Sequence, residues 1–243
     1  PYYFDAVISE AINKYHLSEK EIMNNGYKIY TTLDQDQQRS MQQTYEDDDN
    51  FPSNSVDGTK VQSASVAMNP KTGGVTAIVG GRGKHVFRGF NRGTQMRRQP
   101  GSTIKPLVVY APALEHGYFY DSTLQDKKQS YGTNDYTPKN YDDTYAGSVP
   151  MYKAVYESLN APAVWLLNKI GVNTGYRMAQ KFGLPVEKGD KNLALALGGM
   201  TKGVSPEQIA RAYATFANEG KMPDTHYITK IKDASGKTIV TAK

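Results

Sequence analysis

The stretch Gln99-Pro100-Gly101-Ser102-Thr103-Ile104-Lys105-Pro106 places a serine at a chain break that opens a helix, with a lysine three residues on. Residues i and i+3 share one helical face, so the lysine amine comes within reach of the hydroxyl. A serine hydroxyl is a poor nucleophile until a base takes its proton, and lysine serves as that base where desolvation and neighbouring charge lower its pKa. The helix start adds free amides and a partial positive potential where an oxyanion would form. The bland alternative is an N-capping serine beside an exposed lysine, since this four-residue pattern arises by chance about once in a chain of this size. Two features favour the chemical reading. Pro100-Gly101 fixes a tight approach, and the chain's only Ser-x-Asn triplet, Ser158-Leu159-Asn160, follows downstream. A second hydroxyl there can relay a proton to a leaving amine, and a carboxamide can hold both lysine and substrate. Taken alone, that triplet also reads as a helix cap before Pro162.

Working outward, 243 residues of which 38% are hydrophobic suffice for one large domain or two small ones with a buried core. The absence of cysteine removes disulfides, thiolate nucleophiles and cysteine-held metals. No apolar run reaches the roughly 18 residues needed to span a bilayer, and Pro1-Tyr2-Tyr3-Phe4-Asp5 is not a signal peptide. The net charge is +5, with part of the excess in Arg88, Arg92, Arg97 and Arg98. That patch suits anionic polymers or a plain solvated face. No helix-turn-helix, zinc-finger or RNP signature supports nucleic acid. His16, His85, His116 and His226 are too dispersed for a metal site.

Apolar spacing predicts a helix over Asp5 to Lys14. Ser18 with Glu21 forms a capping box, Tyr27 to Thr32 alternates as a strand, and Asp34 caps a polar helix running to about Tyr45. The acidic run Glu46 to Asn50 lacks the spacing and glycine of a calcium loop and reads as solvated. Val61 to Met68 and Val75 to Val79 alternate around a turn at residues 69–74, which makes a hairpin. Ser148 with Pro150, then Pro162, then Ser205-Pro206-Glu207-Gln208 open three helices, the last running to Gly220. Trp165 sits on an apolar helical stripe and reads as core. Ile228 to Ile231 and Ile239 to Val240 form a second hairpin. The polar stretch Gln125 to Gly147 reads as a long surface loop near the site. Strands at both ends with helices between predict one mixed α/β (α+β) domain, its mostly antiparallel sheet closed by sequence-distant strands and flanked by helices.

The stretch Arg97 to Pro106, the Ser158-Leu159-Asn160 triplet, and Gly198-Gly199 through Gly203-Val204-Ser205-Pro206 to Ala214-Thr215-Phe216-Ala217-Asn218 resemble the transpeptidase domain of penicillin-binding proteins. Gly26 to Asp34 is similar to the linker of the class A, bifunctional members, in which a glycosyltransferase domain precedes. The resemblance covers nearly the whole chain. It implies a β-lactamase/transpeptidase-like fold, with residues 1–50 as linker and 51–243 as the larger N-terminal part of the transpeptidase domain. It implies a cofactor-free D,D-transpeptidase that cross-links peptidoglycan stem peptides derived from a lipid-linked precursor. Ser102 would be nucleophile, Lys105 base, Ser158 proton relay and Asn160 positioner, with Gln99, Thr103 and Leu159 lining the substrate cleft. β-Lactams would acylate Ser102, and the protein would work at the extracytoplasmic face of a bacterial membrane, anchored through a segment outside this chain.

The family's third motif, Lys-Thr-Gly on a core strand, belongs after Asn160. The only such triplet, Lys71-Thr72-Gly73, precedes the nucleophile in a predicted turn and reads as a decoy, and Ser235-Gly236-Lys237-Thr238 lacks the final glycine. A second fragment of the same protein, separated by a cut after Lys243, is therefore expected to carry the strand. Class A β-lactamases place Glu-x-x-x-Asn after the second motif; here Glu187 is matched by Lys191, with Asn192 one residue later. The competing readings are a carboxypeptidase or β-lactamase of the same fold, and a non-catalytic β-lactam sensor.

Overall fold

The computed structural model describes residues 1–242. In chain order its elements are α1 (Tyr2–Asn13), α2 (Glu19–Asn24), β1 (Lys28–Thr31), α3 (Gln35–Glu46), β2 (Ser65–Met68), β3 (Val75–Val79), α4 (Ala111–Glu115), β4 (Thr123–Asp126), β5 (Gly147–Pro150), α5 (Met151–Tyr156), α6 (Asn160–Ile170), α7 (Val172–Lys181), α8 (Pro206–Ala217), β6 (Ile228–Lys232) and β7 (Thr238–Thr241). The chain divides into two compact units. One holds Pro1 to Met96 and the chain from Ser205 onward; the other holds Arg97 to Val204.

In the first unit, strands far apart in sequence do close the sheet. β1 pairs antiparallel with β6, and β6 with β7. The β2–β3 hairpin joins through a parallel bridge between Gly74 and His226. β2 starts at Ser65 rather than Val61 because the Val61 carbonyl accepts from Arg82 Nη1 at 2.7 Å and is lost to a ladder. Lys71-Thr72-Gly73 lies in the hairpin turn. The capping boxes of Ser18 with Glu21 and Ser205 with Gln208 both form, and Asp34 caps α3. The acidic run Glu46 to Asn50 is exposed throughout, as its composition implies, and Asp48 reaches the buried Arg82 at 3.0 Å while remaining exposed.

α3 carries one buried residue, Gln38, whose amide bonds both the N–H and the C=O of Ile78 on β3, at 2.8 and 2.9 Å. The core beneath is Val75, Ile78, Ile228 and Ile231 with Ala11 of α1, all inaccessible to solvent. Each such aliphatic side chain contributes about 1.5–3 kcal/mol by leaving water.

The second unit is mainly helical, with one short antiparallel pair, β4–β5, that has no period-two signal in the sequence. Ser148 and Pro150 belong to β5, so the helix expected from them begins only at Met151. Ile104, Leu107, Val108 and Val109 are fully buried against Leu124, Leu166, Leu167 and Leu195. α7 crosses this cluster at Gly175, where a Cβ would stand 2.7 Å from the Val108 carbonyl. Trp165 is half-buried, with the Lys169 amine over its ring.

Glu10 of α1 fastens the two ends of the chain. Its carboxylate accepts the backbone amides of Tyr227 at 3.0 Å and Ile228 at 2.7 Å, at the start of β6. Removing a charged acceptor from two partly buried donors costs about 2 kcal/mol. Urea denaturation of Glu10→Ala should show that loss, and Glu10→Gln, which keeps one acceptor oxygen, a smaller one. A loss for the alanine variant under about 0.5 kcal/mol would mean that water replaces the carboxylate.

Candidate active site

The segment carrying Ser102 is not a regular α-helix, and its prolines explain why. Pro106 has no N–H, so the Ser102 carbonyl cannot receive an i+4 bond and instead accepts from the amide of Lys105, in a 3₁₀ turn over Gly101–Ile104. Pro106–Tyr110 then widens into a π-turn, in which Ala111 N–H reaches back to the Pro106 carbonyl. In a 3₁₀ turn the side chains at i and i+3 eclipse, so Ser102 and Lys105 share a face more closely than α-helical spacing allows.

Their environments differ sharply. Ser102 is exposed, whereas Lys105 is 2% exposed. The Lys105 amine donates to Asn160 Oδ1 at 2.7 Å, the Ser158 carbonyl at 2.9 Å and Ser158 Oγ at 3.1 Å. All three acceptors are uncharged. Burial therefore dominates and pushes the amine down to about 8. Between that value and 10.5 the unfolded chain holds a proton that the folded chain lacks, so the stability cost of burying this lysine is relieved as pH rises through that window. Among the described residues the amine makes no hydrogen bond to Ser102.

Ser158 stands in an unusual backbone position. Its φ is +52°, its N–H bonds the Val155 carbonyl at 3.1 Å, and the next amide, of Leu159, bonds the Ala154 carbonyl at 3.0 Å. These two bonds form a Schellman close to α5 with Ser158 at the left-handed site that glycine usually fills. A serine there costs about 1 kcal/mol. The distortion turns both the Ser158 carbonyl and its hydroxyl toward Lys105.

Asn160 opens α6 and is held from outside the helix. Its Nδ2 donates to the Lys139 carbonyl at 2.8 Å, while the amides of Asn160 and Ala161 donate to Asn140 Oδ1 at 3.0 and 2.9 Å. Asn140 thus supplies the N-cap that Leu159 cannot. Lys139 and Asn140 belong to the polar loop that the sequence places near the site, but nothing in its composition marks these two residues.

Gly198 and Gly203 brace the segment that carries Ser102. Both have positive φ, and a Cβ would lie 2.5 Å from Gly101 N in one case and from the Arg98 carbonyl carbon in the other. Arg98 and Val204 exchange backbone hydrogen bonds at 3.0 and 2.7 Å. Of the residues expected to line a cleft, Gln99 and Thr103 are exposed and Leu159 is half-buried. Gln99 Nε2 donates to the Met200 carbonyl at 3.3 Å, and Thr103 Oγ1 to the Pro100 carbonyl at 2.8 Å. The histidines are engaged elsewhere: His85 with Asp5, His116 with the Pro112 carbonyl and His226 with the Asp224 carbonyl.

This arrangement sets an exposed serine one 3₁₀ turn from a buried lysine on a mixed α/β scaffold. The chain belongs to the penicillin binding protein transpeptidase domain family, whose model matches residues 63–243. It is 49% identical over 251 residues to penicillin-binding protein 2a of Streptococcus pneumoniae, covering 100% of this chain and 33% of that protein. Identity to penicillin-binding protein 1F of Bacillus subtilis is 45% over 242 residues, covering 99% of this chain and 33% of the relative. The chain thus spans about a third of the length of these curated relatives. Its fold matches penicillin-binding protein 1A from Haemophilus influenzae with a TM-score of 0.81 at 23% identity, covering 100% of this chain and 50% of that one. It also matches PonA1 from Mycobacterium tuberculosis in complex with penicillin V, with a TM-score of 0.81 at 22% identity, covering 99% of this chain and 64% of that one. Both likenesses bear out the transpeptidase-like fold read from the sequence. Among the described residues no helix is long and apolar enough to cross a membrane.

The left-handed backbone at Ser158 makes a prediction about stability. Ser158→Gly and Ser158→Ala both lose the hydroxyl, but only glycine relieves the strain, so the glycine variant should be more stable by about 1 kcal/mol. Thermal denaturation of the pair measures the difference; equal stabilities would show that the strain is absent in solution.

Proposed function

We propose that the chain carries out acyl transfer as a D,D-transpeptidase on peptidoglycan stem peptides, with Ser102 as nucleophile, Lys105 as base, Ser158 as relay and Asn160 as positioner. The observation that carries this reading is the uncharged cradle around the buried Lys105, one 3₁₀ turn from an exposed serine. A neutral amine keeps two N–H bonds, to Asn160 Oδ1 and the Ser158 carbonyl, which can only accept. Its lone pair is then left for a hydroxyl proton. Ser158 Oγ, at the longest of the three contacts, is the group that yields when Ser102 approaches.

In the proposed cycle Ser102 attacks the carbonyl of the penultimate D-alanine and its proton passes to Lys105. The terminal D-alanine leaves with a proton delivered through Lys105 and Ser158. The acyl-enzyme then receives the amine of a neighbouring stem peptide, which forms the cross-link and frees the serine. A β-lactam ring opens by the same attack. A strand bearing Lys-Thr-Gly, from a further segment or fragment of the protein, would supply an oxyanion donor. Such a donor contributes about 3 kcal/mol. Gln99, Thr103 and Leu159 would flank the bound peptide. Its substrates place the work at the extracytoplasmic face of the membrane, where lipid-linked precursors are polymerised.

The engagements of Glu187 and Asn192 support a reading of transfer rather than hydrolysis. Glu187 pairs with Lys202 at 3.4 Å, and Asn192 caps the turn over residues 193–197. Neither is arranged as a water-activating pair.

Mass spectrometry of the full-length protein after incubation with benzylpenicillin should find a covalent adduct on Ser102, absent in Ser102→Ala. Lys71→Ala, altered in the hairpin turn, should acylate normally. Persistence of the adduct and cross-linked product from an added amine donor support the transferase. Rapid release would indicate a hydrolase, and an adduct without product a sensor.

The acylation rate should climb with pH as Lys105 loses its proton, reaching at pH 7 about a tenth of its plateau above pH 9. A rate that is flat or falls across this range would remove Lys105 as the base.

A further inference from the structure

Asn140 and Asp126 fall in neither family motif, yet their side chains are 3% and 2% exposed and are fully engaged around the start of α6. Asn140 Oδ1 accepts from the amides of Asn160 and Ala161, and its Nδ2 donates to Asp126 Oδ1 at 2.7 Å and the Thr144 carbonyl at 2.9 Å. Every bonding position of this carboxamide is used. Its orientation is also unique, because two donors face its oxygen and two pure acceptors face its nitrogen. Asp126 holds that orientation while its Oδ2 accepts the Ala146 amide at 2.9 Å, which ties both ends of the polar loop together.

The same logic fixes Asn160. The Lys139 carbonyl can only accept, so Asn160 must turn Nδ2 toward it and Oδ1 toward Lys105. One short loop segment therefore grips Asn160 at its backbone amide and at its side chain.

We propose that Asn140, oriented by Asp126, is a positioning residue for acylation: it seats residues 139–140 against the start of α6 and thereby aims the Asn160 carboxamide at the Lys105 amine. It does not touch the reacting atoms and acts only through Asn160 and Lys105. The proposal rests on the serine-lysine reading above.

A side-chain exchange tests it. Asn140→Asp alone sets two carboxylates against each other, and Asp126→Asn alone cannot accept from both Asn140 and the Ala146 amide. Asn140→Asp combined with Asp126→Asn restores a donor facing an acceptor and forfeits only the bond to Thr144. In the full-length protein, benzylpenicillin acylation should slow at least about tenfold in each single variant and return most of the way in the double. The titration of Lys105, followed by 13C NMR of its ε-carbon, gives a readout independent of acylation. It should move away from the parent midpoint in both single variants and return in the exchange. A purely structural role would lower the melting temperature and leave the midpoint and the rate of the folded protein unchanged, and that result overturns the proposal. Should the single variants fail to fold, the double decides: parent-like rate and midpoint support the proposal, while a slow or unfolded double overturns it. A parent that is not acylated would refute the functional reading instead, and the four Lys105 midpoints would still judge this one.

Discussion

The second unit is organised around one expensive act, the removal of an amine from water with no carboxylate to meet it. An ammonium ion buried among neutral groups is penalised by desolvation, and proteins meet that penalty by shifting the pKa rather than by keeping the charge. The three acceptors around Lys105 Nζ are a carbonyl, a hydroxyl and a carboxamide. They satisfy its protons without supplying the Coulombic stabilisation that would return its pKa to the ordinary lysine range. An aspartate at position 160 would preserve the shape of the cradle and destroy its purpose, because the ion pair would hold the proton on the lysine. The cradle is also the right size for the protonated amine, which has three hydrogens for three oxygens. The same residues can therefore lower the amine's pKa to about 8, so that a neutral fraction exists near pH 7, and still hold the amine in its protonated form.

Holding that geometry requires local backbone departures that a regular helix bundle would avoid. Pro106 cancels the i+4 bond at Ser102 and tightens the turn to three residues. Ser158 occupies a glycine conformation, and from it both its carbonyl and its hydroxyl reach the amine. Gly198 lets the backbone pass within contact of Gly101, where any side chain would displace the serine. These departures cluster on the few residues around the amine, while Ile104, Leu107, Val108 and Val109 are packed without exposure. Strain of this kind persists only where surrounding packing over-determines it.

What the sequence made legible follows the range of the interactions involved. Caps at Ser18, Asp34 and Ser205 are decided within three residues, and all three form as read. The β2–β3 hairpin and the turn character of Lys71-Thr72-Gly73 are equally local. The Ser102 and Lys105 pair was visible by spacing, although the 3₁₀ turn needed the missing donor of Pro106 to be taken into account. β4 and β5 escaped because each is four residues long and their pairing is set by Asp126 and the loop returning at Gly147. Asn140 was invisible for a stronger reason. An asparagine in a polar stretch looks like any other, and its importance lies in bonds to Asp126, Asn160 and Ala161, at separations of 14 to 21 residues.

The contrast between an exposed serine and a buried lysine bears on why such a site would transfer an acyl group rather than hydrolyse it. An acyl-enzyme on an accessible serine can be reached by a bulky amine borne on another peptide, and equally by water. Access alone cannot discriminate between them. Discrimination then depends on which nucleophile is activated, and a water molecule needs a base as much as the serine did. Here Glu187 pairs with Lys202 and caps its own turn, and Asn192 caps the turn over residues 193–197. In the proposed reading Lys105, buried one 3₁₀ turn from Ser102, is the group that serves as base. A neutral amine is a strong enough nucleophile to attack first and give up its proton afterwards, whereas water must be deprotonated as it attacks. A site with a single well-held base and an open nucleophile is thus biased toward amines by the order in which protons must move.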